Sequence, residues 1–206
     1  MRHIPSSRAA VAALVLSAAA VGSVITAAAA TAATAATAAG PQQTVSATLI
    51  GRPLHTLAPG STVSASKIFG NRVFTDAKHG FALVQSGEAQ YPAASTDGGK
   101  TWKTDGPALH LNAAQAPLAV IYVGAASPQT IFAWGTGQVI DATGDGGKHW
   151  YRALFQGLPV AVVKNPQGHL VAFVDGSSGG SGAGTAQYVS KNGGKTWRLD
   201  NTVGGS

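Results

Sequence analysis

The chain has 206 residues, of which 45% are hydrophobic and only 11% charged, well under the roughly 25% charged of ordinary soluble domains. It holds 27 glycines, 10 prolines and no cysteine, and its formal net charge is +6. The missing cysteines exclude a disulfide framework, a thiolate zinc site and a cysteine nucleophile, and the scattered lysines and arginines do not make a nucleic-acid groove.

The first element is a leader. Arg2 and Arg8 precede an uncharged stretch over residues 9–30 made mostly of Ala, Val and Leu, followed by small-residue sites such as Ala28-Ala29-Ala30 and Ala36-Thr37-Ala38. That is the layout of a secretory signal peptide. The expectation is a protein exported to the extracellular space or cell surface, with cleavage between residues 30 and 40. An uncleaved membrane anchor is the alternative, since about 20 apolar residues span a bilayer; the alanine-rich composition favours cleavage. Residues 1–40 thus read as signal peptide plus an Ala/Thr-rich low-complexity segment, and residues 41–206 as the folded domain.

Three segments of that domain align: Ser95-Thr96-Asp97-Gly98-Gly99-Lys100-Thr101-Trp102, Thr143-Gly144-Asp145-Gly146-Gly147-Lys148-His149-Trp150 and Ser190-Lys191-Asn192-Gly193-Gly194-Lys195-Thr196-Trp197. They recur every 47 to 48 residues. Asp or Asn followed by two glycines is turn chemistry: the side chain accepts from backbone N–H groups just ahead, and glycine takes positive φ without a steric cost. The Ser or Thr two residues earlier closes a second local bond. The tryptophan opens the next strand and packs under the turn.

The flanks repeat as well. Apolar strands are expected at residues 72–75 and 80–84, 118–123 and 131–135, and 160–163 and 170–174. A third strand runs into each box (91–95, 139–143, 186–190), and a fourth starts at Trp102, Trp150 or Trp197. Four short strands per repeat predict an all-β fold of propeller-type blades, each of four antiparallel strands. The first two strands of each unit are so apolar that burial on both faces is expected. Residues 176–184 form a Gly/Ser insertion in the third unit. Three boxes make three blades, and residues 45–50 and 62–69 supply apolar stretches for a partial fourth. A ring of three to four blades is short of the usual closure, so the remaining edges are either capped or paired with a second copy, as a homodimer.

The boxes resemble the Asp-box, or BNR, repeat of sialidases, sortilin-type propellers and photosystem II assembly factor-like propellers, whose pattern is Ser-x-Asp-x-Gly-x-Thr-Trp. The first copy matches fully at Ser95, Asp97, Gly99, Thr101 and Trp102. The second has Thr143, Asp145, Gly147 and Trp150, with His149 in place of Thr. The third has Ser190, Asn192, Gly194, Thr196 and Trp197, with Asn in place of Asp. The resemblance spans residues 66–200. It implies that the boxes are structural rim elements rather than catalytic or metal-binding groups.

Sialidase chemistry, as the resemblance describes it, needs three arginines on one carboxylate, a tyrosine nucleophile with a glutamate partner, and an aspartate acid/base. Beyond the leader the chain has Arg52, Arg72, Arg152 and Arg198, and one glutamate, Glu88. The five histidines there show no zinc-type spacing. The expected function is a secreted, non-catalytic module that binds or scaffolds a protein or glycan, without cofactor, metal or nucleic acid. Membrane contact is expected only if the leader stays attached. The competing reading is a degenerate or oligomeric sialidase-like glycoside hydrolase, which convergence of three arginines in one concavity would favour. Tyr91, Tyr122 and Trp134 are the aromatic candidates for anchoring a partner.

Overall fold

A computed structural model describes residues 43–111, 120–176 and 184–203, all within one compact unit, Ala39–Ser206. The leader, the start of the strand expected at 118–123 and most of the Gly/Ser insertion lie outside the described residues. In chain order the strands are β1 (Thr44–Ser46), β2 (Thr48–Leu49) and β3 (Thr62–Val63), then β4 (Ile68–Phe74), β5 (Gly80–Ser86), β6 (Ala89–Ser95) and β7 (Trp102–Thr104). The second repeat gives β8 (Val120–Ala125), β9 (Ile131–Gly135), β10 (Val139–Thr143) and β11 (Tyr151–Leu154). The third gives β12 (Leu158–Lys164), β13 (Leu170–Asp175), β14 (Thr185–Ser190) and β15 (Thr196–Val203). A 3-10 turn, Ala65–Lys67, precedes β4.

The strands form three antiparallel sheets, in the orders β3-β7-β6-β5-β4, β2-β11-β10-β9-β8 and β1-β15-β14-β13-β12. Each repeat therefore builds four neighbouring strands of one sheet, as its spacing predicts. The fifth strand is a finding. The N-terminal segment runs across the outer edges in reverse order: β1 pairs with β15 of the third sheet, β2 with β11 of the second and β3 with β7 of the first. The expected partial fourth blade is thereby corrected. Residues 45–50 and 62–63 complete outer edges, and Ile68 and Phe69 open β4. Gly51, Pro53, Pro59 and Gly60 interrupt the segment, so its pieces are too short to pair with one another, and an unpaired sheet edge is the favourable place for each.

The strap also contributes to the cores. Val45 and Ala47 pack on the cluster shared by the second and third sheets, built around Phe132, Phe155, Tyr188 and Trp197. Ile50 packs on the cluster shared by the first and second sheets, with Phe81, Leu83, Val123 and Trp150. Leu57 and Val63 cover the remaining face of the first sheet, over Val84, Tyr91 and Trp102. At ~25 cal/mol per Å² of apolar surface removed from water, these contacts make the strap an integral part of the stack.

The first strand of each repeat departs from expectation. β4 and β12 are largely half-buried to exposed, whereas β5 is buried over its first five residues. Each first strand ends its sheet, so one of its edges has no partner strand. All three carry a register shift: Phe69/Arg72, Val120/Tyr122 and Pro159/Ala161. Such bulges twist an edge away from unwanted pairing. The β4 bulge has a further use. The Asn71 amide bonds the backbone of β8 like a peptide group, donating to the Val123 carbonyl at 2.7 Å and accepting from the Val123 N–H at 2.9 Å.

Candidate functional site

The boxes join the third strand of each repeat to the fourth. In the first, Asp97 Oδ1 accepts from the N–H groups of Lys100 and Thr101 and from the Ser95 hydroxyl, and Oδ2 accepts from the Thr101 hydroxyl at 2.6 Å. The Ser95 hydroxyl in turn accepts from the N–H of Gly99. Both glycines have positive φ, 73° and 86°, the region where a side chain is strained. Trp102 is buried and its indole N–H donates to the Gly99 carbonyl.

Substitutions in the other boxes are chemically compensated. His149 replaces Thr and places Nδ1 2.7 Å from Asp145 Oδ2. Asn192 replaces Asp, and the bond to the hydroxyl reverses, with the amide donating to Thr196 Oγ1 at 2.9 Å. The Ser190 and Thr143 hydroxyls accept from Gly194 and Gly147 as Ser95 does from Gly99. Trp197 donates to Gly194, within its own box, but Trp150 donates to the carbonyl of Asp105 in the preceding repeat. Hydrogen bonds from the Thr101 hydroxyl and N–H and from the Ser95 hydroxyl hold the Asp97 carboxyl well below the usual carboxylate range. Burial pushes Asp145 up, but the His149 ring and N–H and the Thr143 hydroxyl outweigh it and bring it down to about 2. Both are thus fixed anions whose oxygens are spent on their own turns.

The arginines do not come together. Arg72 lies on β4 of the first sheet, Arg152 on β11 of the second and Arg198 on β15 of the third, while Arg52 in the strap donates to the Thr56 carbonyl. Arg152 and Arg198 line separate cavities, of about 310 and 500 Å³. Among the described residues no group of three His, Cys, Asp or Glu is arranged to hold a metal ion, and no helix is long and apolar enough to cross a membrane. Of the aromatic candidates, Tyr91 is buried and its hydroxyl accepts from the Leu57 N–H, a packing role. Tyr122 is exposed and lies tilted against half-buried Trp134, with ring centroids 5.3 Å apart, and Trp134 stacks on Phe132 at 5.8 Å.

Three polar features escaped the reading of the sequence. Asn71 is one. The second is Asp105, which follows β7 and lies against the second box, where a Cβ on Gly147 would strike its carboxyl group. Burial, and secondarily the negative charge of Asp145, push this carboxyl up to about 7. It shares a cavity of about 460 Å³ with Lys103, Lys148 and the glycines of that box. The third is an ion pair. Asp141, completely buried in β10, receives Arg152 in a fork: Nε to Oδ1 at 2.8 Å and Nη2 to Oδ2 at 2.7 Å. Nη2 also donates to the Leu109 carbonyl. Burial pushes Asp141 up and Arg152 opposes it. This pair was visible in the alignment of the repeats: the positions two before the box Ser/Thr and two after its Trp are Ala93/Thr104, Asp141/Arg152 and Tyr188/Leu199.

No protein-family model matches the chain, and no curated protein sequence matches it. Solved structures do. The chain is similar to YCF48 bound to a D1 peptide (19% identity, TM-score 0.46), with 72% of this chain and 46% of that one covered. It is also similar to YCF48 from Cyanidioschyzon merolae (22% identity, TM-score 0.43), with 69% and 40% covered. The chain thus spans less than half the length of either structure.

Proposed function

We propose that this chain is an exported, non-catalytic binding module that takes a protein segment at the end of its sheets opposite the Asp boxes. One observation carries the reading. The strand registers put Ile131, Thr143, Leu170 and Ser190 at the box end, and Val120, Gly135, Leu154 and Leu158 at the other. Toward that other end stand Leu154 (64% exposed), Val160 (52%), Leu158 (50%) and Tyr122 (48%). Four large apolar side chains, one of them an aromatic ring already held by a second ring, are exposed toward that end, and residues of this kind are what protein interfaces use as anchors; Leu49, Phe74 and Val163 are their exposed counterparts nearer the boxes. The box carboxylates, in contrast, are spent on their turns, and Arg72, Arg152 and Arg198 sit on three separate sheets. Export rests on the leader of residues 1–40 and its charge pattern.

The test is selection of binders from a displayed peptide library on the purified chain, followed by Tyr122→Ser and Leu158→Ser. The expected result is retention of the native melting temperature with affinity for the selected peptides reduced about tenfold or more, as for loss of an interface anchor. Binding unchanged in both variants, or turnover of a fluorogenic sialoside by the wild type, overturns the proposal. N-terminal sequencing of the protein exported from its producing cell is expected to begin between residues 30 and 41.

A further inference from the structure

The repeat supplies its own control for the buried ion pair. Three equivalent sites lie across the paired third and fourth strands of the repeats. The first holds Ala93 and Thr104, and the third Tyr188 and Leu199, so both are built without charge. Only the second holds a carboxylate and a guanidinium, Asp141 and Arg152, paired across β10 and β11. A buried ion pair is a poor way to gain stability, because desolvation offsets most of the Coulomb attraction, and neutral side chains do the same job in the sister repeats. The pair does something else here: it fixes the direction of a guanidinium. Asp141 and the Leu109 carbonyl hold Nε and Nη2, and Nη1 has no hydrogen bond to the described residues.

Arg152 is 37% exposed and lines the cavity of about 310 Å³ already noted. Its other walls come from two different segments: Ile50 and Pro53 of the strap, and Leu109, His110 and Leu111 of the crossover after β7. The volume is at the small end of ligand sites, and the wall is part apolar, with the Arg152 guanidinium and the His110 imidazole as its polar side chains. With Nε and both Nη2 protons engaged, Nη1 keeps two N–H donors for a carboxylate oxygen, and a low-dielectric wall strengthens that contact. We propose that this cavity is a binding site for an organic carboxylate with a short apolar body, held by Arg152, with Asp141 as its positioning residue. The chemistry fits a free small acid or the C-terminal carboxylate of a peptide. The site is independent of the surface around Tyr122.

Calorimetric titration of the whole chain with hexanoate, hexanamide, and an acetylated Ala-Val-Leu tripeptide as free acid and as amide tests it. Hexanoate or the free-acid peptide is expected to bind at millimolar concentration, and the matching amide at least about tenfold more weakly, the ratio for loss of one charge-assisted contact. Binding of the short acid alone assigns a small-molecule source, and of the peptide alone a chain terminus. Two variants locate the site. Asp141→Ala/Arg152→Thr installs the pair of the first repeat. Leu111→Glu leaves the ion pair intact and sets a competing carboxylate at an exposed wall position. Each is expected to weaken binding about tenfold or more; if the double variant does not fold, Leu111→Glu alone decides. Equal binding of acid and amide, undiminished binding in a folded variant, or no binding of any probe overturns the assignment.

Discussion

The two junctions between neighbouring sheets are built from the same repeat and held by different means. Between the second and third sheets the core of the contact is apolar and aromatic: Phe155 meets Tyr188 and Trp197 edge-on, with centroids 5.1 and 5.7 Å apart, and Phe132 and Trp134 lie beside them, while the charged groups that cross, Lys164 to the Ala126 carbonyl and Lys195 over the Tyr151 ring, stay at its rim. Between the first and second sheets an apolar cluster remains, but polar groups are set into it. Asn71 pairs with Val123, Trp150 donates to Asp105, and Arg152 crosses from Asp141 to the Leu109 carbonyl. The repeat thus dictates the sheet and leaves the glue between sheets open. Aromatic packing is indifferent to pH and salt, whereas buried titratable groups make a junction responsive to both.

The largest expected effect falls on the aromatic junction. Trp197→Ala removes a fully buried indole and is expected to cost about 3–5 kcal/mol in denaturant melts, with the loss unchanged between pH 4 and pH 8. A loss that varied strongly with pH would erase the contrast drawn here.

Next comes the pH response of the polar junction. The folded carboxyl of Asp105 sits near 7 against an ordinary value of 3.8, so the native state holds its proton more tightly than the unfolded chain does. Stability is therefore full below about pH 4 and declines until about pH 7, by roughly 2–4 kcal/mol at ~1.4 kcal/mol per unit. Asp145, drawn down to about 2, acts in the opposite sense, and its contribution is lost only as pH falls below about 4. Asp105→Asn is expected to flatten the decline between pH 4 and pH 7 and to raise the melting temperature above pH 7. Parallel curves for wild type and variant would remove Asp105 from the account.

The smallest effect belongs to Asn71→Ala, which leaves the N–H and carbonyl of Val123 without their partner. About 1–2 kcal/mol is expected, with faster hydrogen exchange at the Val123 amide and little change in the third sheet.

Much of the architecture is legible in the sequence, and the reason is locality. Each box closes through hydrogen bonds spanning two to four residues, such as Ser95 to Asp97 and Asp97 to Thr101, so its residues suffice to specify the turn. The apolar strands that flank each box recur with it, and the period counts the sheets. The same locality misled the reading of residues 45–50 and 62–63, which have strand composition but no sequence-near partner. Their partners, β15, β11 and β7, lie up to about 150 residues away.

The sequence by itself therefore determined the all-β repeat, its three box turns and the buried tryptophan beside each, because those depend on neighbours a few residues apart. Only the tertiary structure decided that the N-terminal segment laces the three outer edges, that Asn71 clamps β8, and that a guanidinium paired with Asp141 faces a cavity. Each of these depends on which distant edge or backbone group was left unsatisfied, and that is settled when the sheets stack.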